Sequence, residues 1–111
     1  MAKSKAMKAI EAVTGGPLTF GEMIWSIREG EEMSLAEFAK PLGVSRQHLN
    51  DIEKGERSVS PERAAKWAEI LGYPVAQFVR LALQAQLDAG GLKGLHVEVT
   101  GKLTPKLRKA G

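Results

Sequence analysis

The strongest constraint on this chain is a series of four helix-start signals, each built around a hydroxyl residue. Thr19 with Glu22 forms a capping box, in which the hydroxyl takes the amide three residues on and the carboxylate reaches back to the cap amide. Leu18 and Met23 stand where a hydrophobic staple closes the entry. Ser34 with Glu37 repeats the box, and Met33 with Phe38 repeats the staple. Ser45 is a third cap with Val44 and Leu49 as its staple, although His48 takes the place of the acid. Ser60 is a fourth, followed by Pro61 at the first helical position, where a missing N–H costs nothing. The stops agree: Gly43, Gly55, Gly72 and the Gly90-Gly91 pair each follow a helical stretch, and Gly55 suits a left-handed residue. These signals predict helices near 20–31, 35–41, 46–54, 61–71 and 75–89. The short connections between them imply packing around one core.

The two ends read differently. Lys3 to Val13 places Met7, Ile10 and Val13 at three-residue intervals with lysines between them, a pattern that predicts a short amphipathic helix. Thr14-Gly15-Gly16-Pro17 breaks it. After Gly91, the residues Leu95, Val97 and Val99 alternate with His96 and Glu98, the period-two pattern of a half-buried strand. A single strand is not stable by itself, so this one is expected to pair with the same strand of a second subunit; a partner protein is the rival, and an extended tail that alternates by chance is the plain alternative. Gly101 to Gly111 is expected to be a mobile basic tail. The chain thus divides into an extension at 1–18, a helical domain at 19–91 and a strand with its tail at 92–111.

Within the helical part, two very short helices flank the turn Leu42-Gly43-Val44. Phe38, Ala39, Leu42, Val44, Leu49 and Ile52 are spaced to fold both onto one core. Small Ala39 permits close approach, and Gly43 permits the sharp turn. In physical terms this is a helix-turn-helix. At 100° per residue, Leu49 and Ile52 of the second helix point inward, and Arg46, Gln47, Asn50, Asp51 and Lys54 point outward. Those outward side chains match base edges: Arg to guanine, Gln or Asn to adenine, Asp to the cytosine amine. The helix start aims its amides at phosphate, with Ser45 as a further donor.

Residues from about Phe20 to Phe78 resemble the Xre/Cro family of phage-repressor-like helix-turn-helix domains. The likeness lies in Ile24, Ile27 and Arg28; Ser34 with Glu37-Phe38-Ala39; Leu42-Gly43-Val44-Ser45; Leu49 with Ile52-Glu53-Lys54-Gly55; and Leu71-Gly72. It implies an all-α, five-helix repressor-like bundle, here with an extra short N-terminal helix and a C-terminal β-strand. It places Arg46, Gln47 and Asp51 at base-contacting positions, and Ser45, Lys54, Arg57 and Ser58 at the sugar-phosphate backbone. It also implies a buried ion pair between Arg28 and Glu53. One departure is Leu35, where the family commonly has glutamine that touches both phosphate and the recognition helix.

The formal net charge of +3 adds little to this reading. The stretch Thr19–Gly91 carries eight basic and eleven acidic residues, so the positive excess belongs to the two ends. An enzyme is not expected. There is no cysteine, and His48 and His96 stand too far apart for a recurring ligand motif, so neither a metal site nor a cofactor is expected. Gly15-Gly16 and Gly90-Gly91 lack the Lys-Ser/Thr of a phosphate loop. No apolar run approaches the roughly 20 residues of a membrane span, so a cytoplasmic chain is expected. The expected partner is double-stranded DNA, read in the major groove of a palindromic operator by a homodimer. Candidate dimer residues are Val75, Phe78 and Val79 of the last helix and Leu95, Val97 and Val99 of the strand. The extra segments at both ends favour an antitoxin that represses its own operon and binds a protein toxin; the alternative is a stand-alone repressor of phage or plasmid type.

Overall fold

A computed structural model describes residues 18–103. Within them the chain forms five α-helices: α1 Phe20–Gly30, α2 Leu35–Leu42, α3 Arg46–Glu53, α4 Pro61–Leu71 and α5 Val75–Ala89. Both capping boxes form. Thr19 Oγ1 accepts from the Glu22 amide at 3.1 Å while the Glu22 carboxylate accepts from the Thr19 amide at 3.0 Å. Ser34 and Glu37 do the same at 3.1 and 2.9 Å. Ser45 and Ser60 cap α3 and α4 through the amides of His48 and Arg63. Gly43, between α2 and α3, takes φ +73°, a conformation costly for any residue with a Cβ. Helix α2 continues one residue past Pro41, because a proline so near the helix end removes only one donor from the last turn.

One core joins all five helices. Phe20, Met23, Ile24 and Ile27 of α1 meet Phe38 and Leu42 of α2, Leu49 and Ile52 of α3, Trp67 of α4, and Phe78 and Leu81 of α5. Phe20 is an aromatic hub: its ring lies 6.3 Å from Trp67 and 5.9 Å from Phe78, the latter edge-on. The buried Trp67 indole N–H donates to the Leu42 carbonyl at 3.1 Å, which satisfies an acceptor at the end of α2 that the helix itself leaves unpaired. Trp25 remains 42% exposed on α1.

Ser26 is the one buried polar residue among the described residues, and its hydroxyl has no hydrogen-bond partner there. Ser26→Ala is expected to raise stability by about 1 kcal/mol, since it removes an unsatisfied buried group and inserts the best helix former. A lower denaturation midpoint for this variant would mean that the hydroxyl has a partner.

The expected C-terminal β-strand is not present. Residues 92–103 form no strand; they run without regular structure along α5. Backbone groups at Leu95 and Val97 bond instead to the side chain of Gln84, which occupies the positions a neighbouring strand would fill. The alternation read from the sequence comes from an extended segment lying on a helix, with Val97 and Val99 half-buried and His96, Glu98 and Thr100 exposed. Strand pairing through Leu95, Val97 and Val99 is therefore withdrawn as the dimer contact. Phe78 is also removed from the dimer candidates, because it is fully buried against Phe20 and Tyr73 in its own subunit. The expected helix at Lys3–Val13 and the tail beyond 103 lie outside the described residues.

Candidate nucleic-acid interface

Helix α3 has two unlike faces. Leu49 and Ile52 are 0% and 1% exposed, so they anchor the helix and set its rotation. Arg46 and Gln47 are exposed in the first turn, and Asn50 and Asp51 are half-buried one turn later. Ser45, Lys54, Arg57 and Ser58 are all exposed, at the start of α3 and in the loop that follows it. The outward residues are linked. Gln47 Nε2 donates to Asp51 Oδ1 at 2.9 Å, and Asp51 Oδ2 lies 4.0 Å from Arg57 Nε. Asp51 thereby orients two neighbours, an arrangement that leaves the Gln47 carbonyl and the Arg46 guanidinium pointing outward without such a tether.

Position on the bundle comes from Arg28 and Glu53. Arg28 Nε and Nη2 donate to the two Glu53 oxygens at 2.7 and 3.0 Å, a bidentate pair whose side chains are 12% and 6% exposed. Arg28 Nη1 donates to the Met33 carbonyl at 2.9 Å, so one guanidinium ties α1 to the end of α3 and to the turn before α2. The hydrogen bond to Glu53 raises the Arg28 pKa above its ordinary value against the opposing effect of burial, with the Glu53 and Glu29 charges adding to the rise. Gly21 brings the same helices together: a Cβ there would lie 2.8 Å from the Glu53 carbonyl oxygen and closer still to that of Ile52.

One feature escaped the sequence reading, and another that it noted, Leu35, gains an explanation. Arg63, in the first turn of α4, stands near enough to His48 to act on it. Burial, then the charges of Arg57 and Arg63, lower the His48 pKa below the ordinary 6.5, against the opposing charge of Asp51. The neutral imidazole is therefore favoured, beside cations contributed by the loop and α4. Only the fold brings Arg63 there; its place three residues after the Ser60 cap gave no such signal. The second feature is Leu35, half-buried and packed against the core. An apolar side chain at this point secures α2 to the bundle where a glutamine would face outward.

No group of acidic residues and histidines that could hold a metal ion occurs among the described residues, and no described helix is long and apolar enough to cross a membrane. Residues 26–78 match the helix-turn-helix family model. A protein of Thermococcus gammatolerans, provisionally named an HTH-type transcriptional regulatory protein, is 37% identical over 61% of this chain. Similarly named proteins of Thermococcus kodakarensis and Methanocella arvoryzae are 36% and 43% identical over 75% and 62% of it. The chain covers only 21%, 27% and 21% of these relatives, so the likeness concerns one part of longer proteins. No solved structure matches significantly. Capped short helices, a glycine turn and an anchored, outward-facing α3 agree with that match, so residues 26–78 are similar to helix-turn-helix domains in both sequence and fold.

Proposed function

We propose that this domain is the sequence-reading part of a transcriptional regulator that binds double-stranded DNA through the major groove. The observation that carries the proposal is the division of α3: two buried anchors fix its rotation, and Arg46, Gln47, Asn50 and Asp51 occupy the opposite face. In this reading Arg46 and Gln47 contact base edges first, and Asn50 and Asp51 complete the footprint. Ser45, Lys54, Arg57 and Ser58 hold the phosphates on either side. The names of the three relatives support regulation of transcription. The relatives' names do not mention the toxin partner expected from the sequence, and the reading carried forward is the transcriptional regulator itself.

Such domains gain affinity by placing two recognition helices about 34 Å apart on a palindrome. We take the half-buried Val75 and Val79 of α5 as the contact of such a homodimer, which sedimentation would detect.

Arg46→Ala is expected to cost about 1–3 kcal/mol on the cognate operator and to relax specificity at one base pair. Lys54→Ala is expected to weaken all duplexes alike and to reduce the salt slope by about 0.9. Binding titrations against an operator selected from a random pool, with each position then varied, separate the two effects. Equal losses on cognate and random DNA for Arg46→Ala would remove Arg46 from the base-reading set.

A further inference from the structure

Beyond the backbone bonds that turn the chain at the end of α5, one side chain clamps the following segment to the helix. Gln84 Nε2 donates to the Leu95 carbonyl at 2.7 Å and to Asp88 Oδ1 at 3.0 Å, while its Oε1 accepts from the Val97 amide at 2.9 Å. The carboxamide thus pairs with the backbone through both its donor and its acceptor, as one strand pairs with another. Asp88 takes the remaining amide hydrogen, so the orientation of the group is fixed. Before the clamp the chain reverses: Gly91 takes φ +82°, Leu92 donates to the Leu87 carbonyl at 2.8 Å, and Leu95 donates to that of Leu92 at 3.0 Å.

This reversal brings Lys93 into the wall of a groove of about 790 Å³, whose other wall is the Lys54–Ser58 loop that follows α3. Among the described residues neither Lys54 nor Lys93 belongs to an ion pair. Of the four described acids around the same groove only Glu53 is neutralised by an ion pair, so Lys54, Arg57, Arg80 and Lys93 outnumber the remaining three carboxylates. Glu53 is held by Arg28, Glu22 by the Thr19 amide and Asp88 by Gln84. A lysine on a free tail loses much of its contact energy to ordering, whereas one on a clamped segment is already placed.

We propose that Gln84 is a positioning residue that, by clamping residues 95–97 to α5, sets Lys93 beside the Lys54–Ser58 loop as an additional contact to DNA phosphate. This rests on the DNA-binding reading above and extends its footprint to a segment outside the five helices.

The test is a binding series with the full chain and a random-sequence duplex over a range of salt concentrations. Lys93→Gln is expected to reduce the slope of log affinity against log salt by about 0.9, the value for one phosphate contact. Gln84→Ala and Gln84→Asn, the latter keeping the amide but losing its reach, should reproduce that reduction while retaining the helical signal and melting temperature. The Gln84→Ala/Lys93→Gln double variant should lose no more than either single one. An unchanged slope for Lys93→Gln or for the Gln84 variants overturns the proposal, as does additivity in the double. A wild-type chain that binds random duplex but prefers no operator defeats the sequence-reading proposal and leaves this cycle readable. One that binds no duplex at all defeats both.

Discussion

Arg28→Leu is expected to cost about 3–5 kcal/mol of folding stability, and the double replacement Arg28→Leu/Glu53→Leu is expected to recover most of that loss. The asymmetry follows from burial. With Arg28 gone, Glu53 keeps a carboxylate on a side chain only 6% exposed, and both oxygens lose their donors at once. A stranded buried charge is far more costly than the pair was stabilising, because the attraction within the pair largely offset the desolvation of both groups. Removing both charges leaves an apolar contact between α1 and α3, two helices that already share the core through Ile24 and Ile52. Recovery should stop short of complete, since the bond from Arg28 to the Met33 carbonyl at 2.9 Å, worth about 1 kcal/mol, is lost in either variant. Glu29, 3.7 Å from Arg28 but 52% exposed, adds little. Chemical denaturation of the wild type, Arg28→Leu, Glu53→Leu and the double variant measures the cycle. A double variant as unstable as Arg28→Leu would mean that the pair contributes net stability and not only placement of α3.

The helices were legible from the sequence because their boundaries are set locally. A cap, its box partner and its staple lie within a few residues of one another, so Thr19, Ser34, Ser45 and Ser60 mark their helices without help from any tertiary contact. The two faces of α3 were legible for the same reason, since Leu49 and Ile52 are separated by three residues on one helix. The C-terminal segment was not. Its alternation is real, but what an extended segment lies against is a non-local matter, and the Gln84 carboxamide competes with a strand for the same backbone groups. Arg63 was invisible on similar grounds: only the fold brings its charge near His48, with nothing in the spacing of the two residues to join them. Phe78 shows the converse error. An apolar residue on the last helix served the chain's own core, and sequence alone could not separate that use from a subunit contact.

Gly21→Ala is expected to destabilise the domain by about 1–3 kcal/mol, although alanine is the better helix former. Helix propensity argues for a gain of about 0.5–1 kcal/mol, so the sign of the measured change decides between local and tertiary control. The tertiary term prevails because the new methyl would meet backbone and not the end of a flexible side chain. It would lie 2.8 Å from the Glu53 carbonyl oxygen, with the Ile52 oxygen nearer still, and neither can rotate away. Relief requires α1 and the end of α3 to separate, which loosens Met23 and Ile24 against Ile52 and strains the Arg28–Glu53 pair. The recognition helix would then sit at a different angle, so affinity for a cognate operator should fall together with stability. Gly30→Ala provides the control within the same helix: nothing lies within 4 Å of the place its methyl would take, and the change should leave the domain at least as stable as the wild type. If Gly21→Ala melts at or above the wild-type temperature, the close approach of α1 to α3 does not constrain the domain.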